Sequence, residues 1–246
     1  MWVFEEHLPD GRLLSRCINE EHENVRYLPG IKLPENVIGV TDLVEACRDA
    51  TILVFVLPHQ FVQKACATLR GHVPSTVKVI SLIKGVDFEP KADGSASMRR
   101  VSQVIADGLG IQSVSVLMGA NIANEVAMGQ FCEATVSCPE SDALAYKRLF
   151  NTNDFKIQIV DDLAGVELCG AFKNVVAFAA GIVDGLNLGA NTKAAVMRIG
   201  LVEMIRLCRM IDASTCESTF FESCGVADLI TTCYGGRNRR VGEAMA

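Results

Sequence analysis

Apolar runs rich in β-branched residues recur along the first two-thirds of the chain: Thr51–Leu57 (TILVFVL), Val77–Ile83 (VKVISLI) and Val114–Met118 (VSVLM). They do not alternate apolar with polar, which is the pattern of strands covered on both faces in a parallel sheet. Each ends on a breaker or a polar turn, at Pro58, Lys84-Gly85 and Gly119 respectively. Met1–Phe4 opens the chain as a β-prone run of the same kind, and Ala134–Ser137 and Lys156–Val160 read as two weaker strands. Helical patterns fall between them: Asp42–Asp49, capped by Thr41, with apolar positions at 43, 44, 46 and 47, then Met98–Gly108 and Asp142–Phe150. Strand and helix in alternation predict a parallel α/β sheet with right-handed crossovers. After about residue 160 the strand signal ends. Leu163–Asp184 and Thr192–Ile211 are long and rich in Ala and Leu, broken around Gly185–Gly189, and a third helical stretch covers Ala227–Cys233. The pattern predicts an α/β domain of the nucleotide-binding type over residues 1–160 and an all-helical domain over 161–246. The chain starts on a run of interior-strand character and stops within the helix-prone Glu243–Ala246, so it reads as a truncated version of something longer.

Composition narrows the function classes. Of 246 residues, 50% are hydrophobic and 21% charged, which supplies a core and argues against disorder. A net charge of −6 lacks the basic face that duplex nucleic acid demands. MWVFEEHLPD has no basic n-region of a secretory signal, and stretches such as Val175–Val183 stop short of the ~20 apolar residues of a membrane span. The expectation is a soluble, cytosolic protein with no nucleic-acid or membrane partner. None of the ten cysteines forms a C-x-x-C pair, and the four histidines share no ligand spacing, so a metal site has no support and the thiols read as free and buried.

In open α/β sheets ligands bind beyond the carboxyl ends of the strands, which singles out Glu5-Glu6, Pro58–Phe61, Lys84–Asp87 and Gly119–Asn121. A G-x-G-x-x-G turn is absent. The only G-x-G, Gly108-Leu109-Gly110, precedes a strand instead of following one. Lys84 fits either a crevice or a solvated loop, and Phe4 and Phe61 fit either an adenine or the core. In Leu168–Val183 (LCGAFKNVVAFAAGIV), Lys173 and Asn174 are the only strongly polar side chains. A lysine in a helix apolar on nearly all sides is costly unless paired or used, and burial lowers its pKa into the range of a general acid or base. The competing reading is a lysine that snorkels to the surface. In Gly225–Arg240 (GVADLITTCYGGRNRR), Asp228, Thr231 and Thr232 lie within about one helical turn, and Arg237-Asn238 follow a double glycine. A helix starting at Arg237 would cradle phosphate; the alternative is a solvated basic turn.

MWVFEE, HENVRYLPG, VLPHQF, SLIKGVD, SVLMGANIANEVA, LCGAFKNVVA, NTKAAVMRIGLVEMI and ESCGVADLITTCYGGRNRR, in this order over nearly the whole chain, resemble the eukaryotic cytosolic NAD-dependent glycerol-3-phosphate dehydrogenases. The resemblance implies a Rossmann-like NAD domain followed by a helical substrate domain. It implies interconversion of glycerol 3-phosphate and dihydroxyacetone phosphate with NAD, and pairing into homodimers. Carried over by motif, Lys173 is the acid/base at the substrate C2 oxygen, and Lys84 contacts substrate. Arg237 and Asn238 hold the phosphate, with Arg237 also near the cofactor. Asn174, Asp228 and Thr232 complete the polar lining, and Phe4, Phe61 and Ala123 touch NAD. Lys84 and Arg237 are expected to lower the pKa of Lys173, with Asp228 opposing. The family's first strand with its GSGNWG loop has no counterpart here, nor has its helical region after GGRNR, and Ala190 stands where the family has Asp. A second class therefore competes: a non-catalytic relative acting by binding or subunit pairing.

Overall fold

Strand pairing and helix packing place the carboxyl ends of two neighbouring parallel strands beside one long buried helix. In the computed structural model, which describes residues 1–91 and 93–246, five strands form one sheet in the order β1-β2-β5-β6-β7. They are β1 (Ile52–Phe55), β2 (Lys78–Ser81), β5 (Ser115–Met118), β6 (Cys132–Ser137) and β7 (Phe155–Val160). β3 (Val86–Pro90) and β4 (Ala96–Arg100) form a separate antiparallel hairpin. The helices are α1 (Leu14–Arg16), α2 (Leu43–Cys47), α3 (Val62–Leu69), α4 (Val101–Leu109), α5 (Ala123–Ala127), α6 (Glu140–Phe150), α7 (Leu163–Gly185), α8 (Ala190–Ile211), α9 (Asp228–Gly235) and α10 (Arg237–Met245).

Alternation across the strands divides the core. Leu53, Phe55 and Val79 face α3 and α4 through Val62, Cys66, Leu69, Val104 and Ile105. Ile80, Leu117 and Val136 point the other way, onto Tyr146 of α6. Val116 and Met118 of β5 pack on Val166 and Cys169 of α7. α7 is thus sheet-covering at its start and bundle core further along, where Val176, Ala177 and Ala180 meet Met204 and Cys208 of α8 and Leu229 and Cys233 of α9. By length and composition α7 is apolar enough to cross a membrane, which the short runs in the sequence did not suggest, but most of that stretch is buried inside the protein.

Four expectations are corrected. The sheet is mixed: β6 runs antiparallel to β5. The connection between them holds only the five-residue α5, whose rise of about 7.5 Å cannot return the chain along a strand; it reverses at Gly129, in the left-handed region (φ 70°). Met1–Phe4 is no sheet strand. Trp2 makes an isolated parallel bridge with Val40, while Val3 joins Leu8, Leu14, Cys17 and Ile18 in a satellite cluster. β1 is consequently an edge strand, and Val54 and Val56 are exposed instead of covered. Helix α4 begins at Val101, because Met98–Arg100 complete the hairpin. The cap of α2 is Asp42, not Thr41, its carboxylate accepting from Glu45 N at 2.7 Å.

Candidate active site

Three segments distant in sequence converge on one carboxylate. Lys84 lies just past the end of β2, and its Nζ donates to the Gly119 carbonyl beyond β5 (2.9 Å) and to Asp228 Oδ2 (2.8 Å). Lys173, in the middle of α7, donates to the other oxygen, Asp228 Oδ1, and to Thr232 Oγ1 at 2.6 Å. Asp228 opens α9 and Thr232 stands one turn later, its hydroxyl donating to the Asp228 main-chain oxygen at 2.6 Å. The Gly119 carbonyl, Lys84, Asp228, Lys173 and Thr232 form one hydrogen-bonded chain. Lys173 and Asp228 are 4% and 2% exposed, so the lysine does not snorkel. Gly170, one turn before Lys173, makes room for this: a Cβ there would stand 2.8 Å from Met118 Sδ and 3.4 Å from Lys84 Cγ.

Burial is the main influence on Lys173 and pushes its pKa from 10.5 down to about 8; Lys84 adds to the lowering and Asp228 opposes it. An amine of this pKa exchanges a proton near neutral pH. An ammonium has three donors, and Lys173 and Lys84 each commit two within the cluster. Each retains one for a ligand oxygen. Two lysines facing one carboxylate also favour an anionic ligand.

The remaining expected residues make no hydrogen bond to this cluster among the described residues. Asn174 is half-buried, with its amide nitrogen 3.5 Å from the carbonyls of Gly170 and Ala171 in its own helix. A helix does start at Arg237, after Gly236 in extended conformation (φ −68°, ψ 153°). Arg237 and Asn238 are exposed in its first turn, where free N–H groups and a guanidinium share one end. Phe61 follows β1 and is 53% exposed; Phe4 is 71% exposed; Ala123 is exposed at the head of α5. Neither phenylalanine went into the core. Open aromatic faces suit the flat rings of a dinucleotide.

Two buried carboxylates of α7 escaped the sequence reading. Asp162 caps the helix, accepting from Gly165 N (2.8 Å), and also accepts from Cys216 N (2.9 Å) and Thr219 Oγ1 (2.6 Å). Glu167 is fully buried and accepts from Ser102 N (2.8 Å) and Ser102 Oγ (2.5 Å) in the first turn of α4. Burial pushes its pKa up. The signal for Asp162 was present as an acid just ahead of a long apolar run; Glu167 had none, since its partner is 65 residues away.

Comparison with known proteins identifies the family of the chain. Residues 1–144 match the family described as NAD-dependent glycerol-3-phosphate dehydrogenase N-terminus, and residues 162–246 match its C-terminus counterpart. The cytoplasmic NAD(+) glycerol-3-phosphate dehydrogenase of Homo sapiens is 54% identical over all of this chain, which spans 69% of that relative. Among solved structures, the Saccharomyces cerevisiae glycerol-3-phosphate dehydrogenase superposes with a TM-score of 0.89 at 45% identity, over 100% of this chain and 71% of the other. The Dunaliella salina enzyme gives 0.91 at 46% identity, over 100% of this chain and 41% of the other.

Proposed function

The chain belongs to the NAD-dependent glycerol-3-phosphate dehydrogenase family, and from that premise we propose that it interconverts sn-glycerol 3-phosphate and dihydroxyacetone phosphate, with Lys173 as the acid/base. The observation that carries this reading is the buried Lys173 amine, near pKa 8 and fixed between Asp228 and Thr232. In the oxidative direction neutral Lys173 accepts the C2 hydroxyl proton, and Asp228 stabilises the ammonium that forms. In the reductive direction the protonated amine donates to the ketone oxygen. Lys84 lends its free donor to the substrate oxygens. Arg237 and Asn238 hold the phosphate with the N-terminus of α10, and Asn174 lines the same space.

Bound NAD would supply the hydride acceptor, or as NADH the donor, for C2. The open rings of Phe4 and Phe61, with exposed Ala123 and Arg237, fit it in part and are the residues that would hold it. The family's glycine-rich turn is not among this chain's residues. We place the boundary between the cofactor domain and the catalytic domain at residues 160–161, directly before the Asp162 cap. Assembly as a homodimer and a cytoplasmic location complete the proposal; the relatives' printed names support the location. The test is NADH oxidation by the purified chain with dihydroxyacetone phosphate. Lys173→Ala abolishing turnover supports the assignment. A Lys173→Ala chain as active as its parent refutes it.

A further inference from the structure

Arg237 makes no ion pair among the described residues and follows two glycines, so its placement depends on what holds the segments on either side. The flanks of that glycine linker supply an answer. On the far side, Arg239 Nε of α10 donates to Asp184 Oδ2 near the end of α7, at 2.6 Å. Lys193, in the first turn of α8, donates to the same carboxylate oxygen at 2.7 Å. On the near side, Tyr234 in the last turn of α9 lies under that same Lys193, with the ammonium 4.4 Å from the ring centroid. Lys193 is buried and lies at sequence positions the site itself does not use. One lysine thus touches both the residue before Gly235-Gly236 and, through Asp184, the third residue after it. The α7–α10 crossing is close: a Cβ at Gly181 would collide with the Arg239 carbonyl. α10 therefore cannot slide along α7 without breaking this contact and the Asp184 pair together.

We propose that Lys193, with Asp184 and Tyr234, forms a clamp across the Gly235-Gly236 linker that positions Arg237 on the substrate phosphate. These are positioning residues, since they act through Arg237 and touch neither substrate nor cofactor. The inference rests on the assignment of Arg237 to the phosphate given above. Two glycines in a linker give backbone freedom that would otherwise cost affinity when the arginine is ordered on binding; the clamp removes that freedom in advance.

The test measures sn-glycerol 3-phosphate binding to the full chain by calorimetry, with amide hydrogen exchange at residues 235–238. Lys193→Met and Tyr234→Ala should each weaken binding about tenfold and speed exchange at the linker. Tyr234 is exposed, so its variant keeps the fold if Lys193→Met does not. In an Arg237→Ala background neither variant should weaken binding further, because residues acting through one group are not additive. Full additivity in the double variants, or linker exchange unchanged from the parent, overturns the clamp. Arg237→Ala binding as tightly as the parent overturns it too, and locates the failure in the phosphate assignment of Arg237 instead.

Discussion

Removing one charge at a time from the Lys84–Asp228–Lys173 cluster should move the Lys173 midpoint in opposite directions. Asp228→Asn keeps the side-chain shape but deletes the carboxylate that both lysines contact. With charge centres roughly 4 Å apart and an effective dielectric constant of ~20, the lost attraction is about 4 kcal/mol. At 1.36 kcal/mol per pH unit, that takes the midpoint from about 8 to roughly 5. Lys84→Met removes the cation that shares the carboxylate. Lys84 is partly exposed, so solvent screening reduces its influence to about 1–2 pH units, upward. The assay is an NMR titration of lysine side chains labelled with carbon-13 at Cε, with Lys173→Arg used to assign the resonance. It needs neither substrate nor cofactor. Midpoints that shift in the same direction in both variants, or that stay within half a unit of the parent, would refute the electrostatic reasoning.

Lys173 titrates near 8 in the folded chain against 10.5 unfolded, so between those values the unfolded chain holds the extra proton and stability rises with pH. The gain from pH 8 to 10.5 is about 3 kcal/mol; urea unfolding should show it in the parent and not in Lys173→Met, and an equal slope in both contradicts it. Asp162→Ala removes the α7 cap together with the acceptor for Cys216 N and Thr219 Oγ1. It should cost about 2–4 kcal/mol by denaturant titration, more than its conservative partner Asp162→Asn. Glu167→Ala strands both donors of Ser102 in the core and leaves a cavity, for a loss of about 3 kcal/mol; a Ser102→Ala, Glu167→Leu double variant should recover only part of it, since the hydroxyl and the carboxylate are gone but the N–H of residue 102 stays unpaired.

The order of elements was legible because it depends on local pattern. The runs at Ile52, Lys78 and Ser115 became strands within a residue or two, and α7 and α8 appear where the Ala- and Leu-rich stretches stood. What escaped depended on partners far along the chain. The direction of β6 follows from a short connection, and the β3–β4 hairpin from pairing of Val86 with Arg100, neither visible in apolar periodicity. At the site, the isolation of Lys173 in an apolar helix announced its burial, and the sequence grouped Asp228 with Thr232. That one carboxylate would bridge Lys84 and Lys173, separated by 89 positions, needed the fold. The double glycine left a helix start at Arg237 and a solvated basic turn both open, and the fold decides for the helix; the contacts of Lys193 had no signal in the sequence.

The central claim is that Lys173 moves the substrate proton, and the most direct measurement is the pH dependence of kcat/KM for NADH oxidation with dihydroxyacetone phosphate, parent against Lys173→Ala. The parent should turn over and lose activity as pH rises through about 8, where the amine gives up the proton the ketone requires, while Lys173→Ala should be inactive at every pH. A Lys173→Ala chain with the parent's rate, or a parent profile flat across pH 8, would contradict the account.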